Sequence, residues 1–136
     1  MPASKAKKAS SAFRLSKLIG FAITSKPQKA RAFYTELLGF RFVKDDGFAL
    51  VFDAHGTMLR ISKLKQFSPA QFTVLGWEVE DIETAVAELA RRGAVFERYP
   101  GMPQDKNAIC TFPGEARVAW FKDPDGNVLS ISEHSK

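Results

Sequence analysis

The chain has one cysteine, Cys110, among its 136 residues. An intrachain disulfide is therefore excluded, and the composition suits a reducing, cytoplasmic compartment. No apolar run approaches the ~20 residues that a membrane-spanning helix needs. The N-terminus lacks the apolar stretch of a secretory signal, so no membrane partner is expected. Histidine is scarce as well: His55 falls in a turn and His134 near the C-terminus, and both are read as surface residues. Cys110 has no base near it in sequence and is read as a buried structural thiol. Acidic residues are missing from the first fourteen positions, where Lys5, Lys7, Lys8 and Arg14 lie. Of the 20 basic residues, these four set aside leave 16 against 15 acidic ones, a nearly neutral body. Residues 1–14, rich in Ala, Ser and Lys, are expected to form a basic disordered tail, because they offer little apolar surface to bury. Four charges spread over this length form no dense basic patch, so nucleic acid is not an expected partner.

What is present points to a single domain over 15–136. Apolar residues make up 45% of the chain and include twelve Phe and two Trp, enough to build a core at this length. Leu18–Thr24 reads as a buried strand. Thr24 or Ser25 can cap a helix with Pro27 in its first turn. Ala30, Phe33, Tyr34, Leu37 and Leu38 form its apolar stripe, and Gly39 stops it. Three short strands follow at Phe40–Lys44, Phe48–Phe52 and Met58–Ser62, broken by Asp45-Asp46-Gly47 and Asp53-Ala54-His55-Gly56. Lys63–Ala70 reads as a linker. The order then begins again with a strand at Phe72–Val79, an N-cap at Asp81 and a stripe of Ile82, Ala85, Val86, Leu89 and Ala90. That stripe lies 52 residues after the first, position by position. Gly93 ends the helix, and strands are expected at Val95–Tyr99, Arg117–Phe121 and Val128–Ser132. The last two are joined by Asp123-Pro124-Asp125-Gly126. Between Tyr99 and Arg117 runs a Pro- and Gly-rich stretch with room for a short strand at Ala108–Thr111. Its Met102, Gln104 and Asp105 are open to two readings, ligand contact or surface excursion. The expected fold is α+β, two βαβββ modules at about 16–63 and 71–134.

The stretches FYTELLGF, LGWEVEDIETAVAELARRGAVFERYPG and FKDPDGNVLSI carry a resemblance. Over about residues 16–134 the chain resembles the vicinal oxygen chelate superfamily (glyoxalase I, bleomycin-resistance proteins, extradiol dioxygenases), and within it the small bacterial glyoxalase/bleomycin-resistance-like proteins. The resemblance implies that each module curls into an open half-barrel. It also implies that two modules, from one chain or from two chains of a homodimer, enclose a cavity. Metal-using members place His, Gln or Glu on the first and last strand of each module. Matched onto this chain, those positions are Ile19, Arg60, Val74 and Ser130. None is a usual ligand for a divalent metal, and Arg60 adds a fixed positive charge. Shifting the match by one residue recovers no His, Asp, Glu or Cys. No metal or cofactor is therefore expected, and metal-dependent glyoxalase or dioxygenase activity is disfavoured.

If those four positions face the cavity, strand alternation adds Phe21, Ile23, Met58, Ser62, Gly76, Glu78, Val128 and Ser132. Phe21, Met58, Arg60, Val74, Gly76, Glu78, Tyr99 and Ser130 are the candidate ligand-binding residues. Apolar walls with few polar points suit a small-molecule pocket; a collapsed core with no vacancy is the competing reading. Arg60 needs a carboxylate or an anionic ligand, with Glu78 as the intrachain candidate. Trp77 has the opposite parity and is expected between sheet and helices, and the facing of Trp120 stays open. The expected function is metal-independent binding of a small, at least partly planar organic molecule. The alternative is a metal-free isomerase or lyase-type enzyme, with Arg60 as electrostatic stabiliser and Glu78 as general base. A catalytic Glu needs its pKa raised, and an adjacent Arg lowers it, so binding ranks first.

Overall fold

The computed structural model describes residues 13–135. The expected tail lies outside them but for Phe13 and Arg14. Eight strands and two helices follow in the order β1 (Ile19–Thr24), α1 (Pro27–Ala32), β2 (Arg41–Asp45), β3 (Ala49–Ala54), β4 (Thr57–Lys63), β5 (Thr73–Glu78), α2 (Ile82–Arg91), β6 (Cys110–Phe112), β7 (Ala116–Lys122) and β8 (Val128–His134). They form two four-stranded sheets, β1-β4-β3-β2 and β5-β8-β7-β6. In each, the first strand pairs parallel with the last, and the other pairs are antiparallel. This is the βαβββ unit twice, and neither sheet closes on itself.

The helix starts differ from one another. Asp81 caps α2 as expected, accepting from the Glu83 and Thr84 N–H groups at 3.1 and 3.2 Å. α1 has no side-chain cap: Lys26 occupies the N-cap and Pro27 follows at the first helical position. The expected cap at Thr24 or Ser25 is thus displaced, and the Thr24 hydroxyl accepts from the Lys26 N–H at 2.9 Å before the helix begins. Proline with its preset φ and missing N–H can start the helix without a capping side chain. α1 runs on through a π-helical turn, Phe33–Leu37, which the Leu38 N–H to Phe33 carbonyl bond closes at 3.2 Å. The stripe buries Ala30 and Tyr34, and Gly39 ends the segment at φ 78°. In the α2 stripe Ile82 and Val86 are buried, whereas Ala90 is exposed.

The second module departs from expectation at Val95–Tyr99, which is not a strand. Only Phe96 forms a bridge, to Phe121, and the fourth strand is Cys110–Phe112. Side chains account for the difference. The Gln104 amide accepts from the Tyr99 N–H at 2.8 Å and donates to the Glu97 and Ala108 carbonyls at 2.9 and 3.0 Å. It satisfies backbone groups that a strand ladder would otherwise pair, while Pro100 and Pro103 deny the segment further donors.

The helix-facing side of both sheets is one core, in which Tyr34, Phe52, Leu59 and Ile61 of the first module meet Ile82, Phe121, Leu129 and Ile131 of the second. Phe40 and Trp77 approach to 5.3 Å across the seam, with Trp77 between sheet and helices as its parity implied. Polar bonds join the modules at the Asp123–Asn127 turn. The Tyr34 hydroxyl donates to Asp123 at 2.7 Å, and the Asn127 amide donates to the Ile23 carbonyl at 2.8 Å. Burial first, and the Asp123 charge second, push the Tyr34 phenol well above its usual pKa. Among the described residues no helix is long and apolar enough to cross a membrane.

Candidate functional site

The other side of the sheets is open. In the β1–β4 register Ile19 faces Met58, Phe21 faces Arg60 and Ile23 faces Ser62. In the β5–β8 register Gly76 faces Ser130 and Glu78 faces Ser132. Alternation puts these residues opposite the core positions Ala22, Leu59, Ile61, Leu129 and Ile131. The collapsed-core reading therefore fails along β1 and β4, where Phe21 is 58% exposed, Met58 44% and Ile19 41%, whereas Val128 and Ser130 of β8 are buried. These exposed apolar side chains lie together on one strand pair.

Two hollows lie along β1 and β4. One, of about 580 Å³, is lined by Phe21, Ile23 and Ser62, by Val74 of β5, and by Leu64, Phe67 and Pro69 of the linker. Pro69 is held close to the Asp123–Asn127 turn, where a Cβ on Gly126 would meet it at 3.3 Å. The second, of about 480 Å³, is lined by Ile19, Met58, Arg41, Val43, Val51 and Asp53. Arg60 stands between Met58 and Ser62 on β4 and lines neither hollow.

The partner of Arg60 is not Glu78. Its Nη2 donates to Asp46 Oδ2 at 2.6 Å, and among the described residues Glu78 makes no ion pair. Asp46 belongs to the Asp45-Asp46-Gly47 turn and also accepts from the Phe48 and Ala49 N–H groups at 3.0 and 2.9 Å. The Arg60 bond first and these backbone bonds second hold its carboxyl far below the usual range. An arginine on a sheet face takes whichever carboxylate the backbone presents at the right depth. Here the turn presents Asp46 in fixed geometry, whereas Glu78 stands exposed on β5, in the other sheet.

The candidate residues thus divide. Phe21 and Val74 share the larger hollow, Met58 lines the second, and Arg60 lines neither. Gly76 and Ser130 are so close that a Cβ on Gly76 would lie 2.7 Å from Ser130 Oγ; only glycine fits without displacing that hydroxyl. Glu78 lines a groove of about 350 Å³ at the α2 side of the seam, with Trp77, Phe40 and His55. Tyr99 lines a further pocket of about 530 Å³ with Lys122 and Val128. Its ring meets Trp120 edge-on at 5.5 Å, and burial first, then Glu97, raises its phenol pKa. Trp120 is opposite Ser130 in the β7–β8 register and so belongs to the open face. The signal that could have placed it is the Asp123–Gly126 hairpin, which sets the β7 register from β8.

Gln104 and Asp105 brace the long loop. Asp105 accepts from the Asn107 and Ile109 N–H groups at 2.8 and 3.0 Å, and Gln104 is occupied as described above. Cys110 is buried. His55 sits at φ 54° in its turn, with its ring 5.5 Å from that of Phe40. His134 is a strand residue rather than part of a tail, and its Nε2 lies 2.8 Å from Ser132 Oγ. The four positions that the resemblance matches to metal ligands carry few donor atoms. Ile19 and Val74 have no donor atom, Ser130 offers a neutral hydroxyl, and Arg60 repels a cation.

A family model described as Glyoxalase/Bleomycin resistance protein/Dioxygenase superfamily matches residues 19–131. No curated protein matches the sequence significantly. Among solved structures, a member of that superfamily from Sphaerobacter thermophilus is similar, with 26% identity, a TM-score of 0.68 and coverage of 89% of this chain and 98% of that one. TnmS3, an antibiotic binding protein from Streptomyces sp. CB03234, is similar at 23% identity with a TM-score of 0.62, covering 90% and 99%. A lactoylglutathione lyase from Agrobacterium tumefaciens is similar at 18% identity with a TM-score of 0.64, covering 88% and 94%.

Proposed function

The chain belongs to the glyoxalase/bleomycin resistance protein/dioxygenase superfamily, and we propose that it is a metal-independent member that binds a small, partly planar organic molecule on its open sheet face. The observation that carries this reading is the apolar hollow of about 580 Å³ between β1, β4, β5 and the linker. Apolar walls with a few polar groups, here Ser62, Ser68 and Asn127, are the usual make-up of a ligand site. The antibiotic-binding activity stated for TnmS3 is support of the same kind, from a protein that shares this fold. The engagement of Arg60 with Asp46 favours binding over the isomerase or lyase alternative, which needs Arg60 and Glu78 to act together. A homodimer in the cytoplasm is part of the proposal, the second copy covering the exposed side chains of Ile19, Phe21 and Met58.

The test is a panel of small planar aromatic molecules with binding mapped by NMR. Amide shifts should centre on Phe21, Ile23, Arg60, Ser62, Phe67 and Val74, and Phe21→Ala should weaken binding by about tenfold, the loss of much of one buried aromatic contact. Shifts confined to the groove beside Trp77 and Leu89 would move the site elsewhere and sink the reading.

A further inference from the structure

The pocket of about 530 Å³ beside Tyr99 shares Ser68, Pro69 and Ala70 of the linker with the larger hollow, and no other residue. The two differ in charge. The larger hollow has no charged side chain in its lining, whereas this pocket has one, Lys122. In the β7–β8 register Lys122 is opposite Val128, which also lines the pocket, and alternation puts Lys122 on the open face with Trp120. Lys122 is loosely held. Its Nζ lies 3.7 Å from Glu97 Oε1, outside hydrogen-bond distance, and the two side chains are 46% and 29% exposed. The other ion pairs among the described residues lie between 2.5 and 3.3 Å. Glu97 is not part of the lining. Asp123 and Asp125, in the turn that carries Gly126, accept from Tyr34 and Thr24 of the first module. The Tyr99 phenol, its pKa raised by burial and then by Glu97, stays protonated at neutral pH and can donate.

We propose that this pocket is a second binding site, for a small planar organic acid whose carboxylate pairs with Lys122 and whose body lies against Tyr99 and Pro69. It does not depend on what the larger hollow holds. A partly exposed pair such as Lys122–Glu97 contributes little by itself, so an arriving anion has no strong bond to break. A ligand carboxylate in a charge-assisted hydrogen bond would stand about 2.7–2.9 Å from the ammonium nitrogen, nearer than Glu97 does. Coulomb energy falls with distance, so Glu97 weakens this attraction without cancelling it. The ammonium has three N–H donors to offer, and Tyr99, Gln71 and Ser68 bring further polar groups to the same lining. Tyr99, Pro69 and Val128 supply apolar wall for a flat body, which an inorganic anion could not use.

Benzoate and benzamide have nearly the same shape and differ by a charge, so NMR titration of the full-length protein with each isolates the effect. Benzoate is expected to bind about tenfold more tightly than benzamide, with amide shifts centred on Gln71, Lys122 and Gly126. Lys122→Met keeps the unbranched stem and removes the charge. It should weaken benzoate by about tenfold and leave benzamide unchanged. Glu97→Gln should tighten benzoate by about threefold, a gain that a damaged fold does not produce. Benzamide binding as tightly as benzoate to the wild type would overturn the inference. So would benzoate affinity unchanged in a folded Lys122→Met protein, or no gain in Glu97→Gln. Benzoate shifts centred on Phe21 and Ile23 would put the acid in the larger hollow, overturning this site while supporting that one. No benzoate binding at millimolar concentration would remove this site and leave the larger hollow untouched.

Discussion

Tyr34 shows how a single residue ties the two modules together. Its ring is fully buried and its hydroxyl donates to Asp123, 89 residues away. Replacing it with Phe removes a hydrogen bond to a charged acceptor and should cost about 1.5–3 kcal/mol at neutral pH, read by urea denaturation. The pH dependence has a definite sign. A phenol whose folded-state pKa is raised contributes stability that is complete below the unfolded value of about 10 and is lost as pH rises beyond it. Wild-type protein should therefore lose stability above about pH 10 more steeply than Tyr34→Phe; parallel curves would show that Tyr34 ionises as freely folded as unfolded. At this scale the side of the sheet was legible in sequence and the partner was not. Period-two alternation from Ile19 and Arg60 puts Phe21, Met58 and Ser62 on the open face, because a strand has no other way to place them. The Arg60–Asp46 pair depends on how far a turn folds back, with a register shift in β2 between Phe42 and Lys44, and no spacing rule announces that.

At the scale of elements, the segment after α2 separates pattern from outcome. Val95–Tyr99 has strand-like composition, but Pro100 and Gly101 end it and Gln104 takes over its pairing. Gln104→Ala would leave the Tyr99 N–H and the Glu97 and Ala108 carbonyls without their partners. The expected loss is about 1–3 kcal/mol, together with faster amide hydrogen exchange at Tyr99. Unchanged protection there would mean that the loop is held by something other than this amide. The helices were legible because their signals are local: Asp81 caps α2, and the stripes repeat with helical period. The α1 start was missed by one or two residues, since Pro27 can begin a helix without a capping side chain. β6 was legible only as an option at Ala108–Thr111. A three-residue edge strand carries too little periodicity to identify itself.

At the scale of the whole molecule, one chain leaves the open face of β1 and β4 uncovered. Ile19, Phe21 and Met58 on the strands, with Leu18 beside them, are exposed apolar side chains, and a soluble protein usually buries a patch of that kind against a partner. Sedimentation at micromolar concentration should give a dimer, and Phe21→Asp should dissociate it. A clean 15.1 kDa monomer for the wild type would count against this. The sequence by itself determined the two-module α+β plan, the open-face positions and the lack of ordinary metal donors at Ile19, Arg60, Val74 and Ser130. Those properties follow from local periodicity and from residue identity. Only the tertiary structure decided that Asp46 neutralises Arg60, that Trp120 and Tyr99 meet, and that Glu78 lies apart from both hollows. Each of these depends on how turns and linkers bring distant strands to a common depth, and that geometry arises only when the two sheets pack on one core.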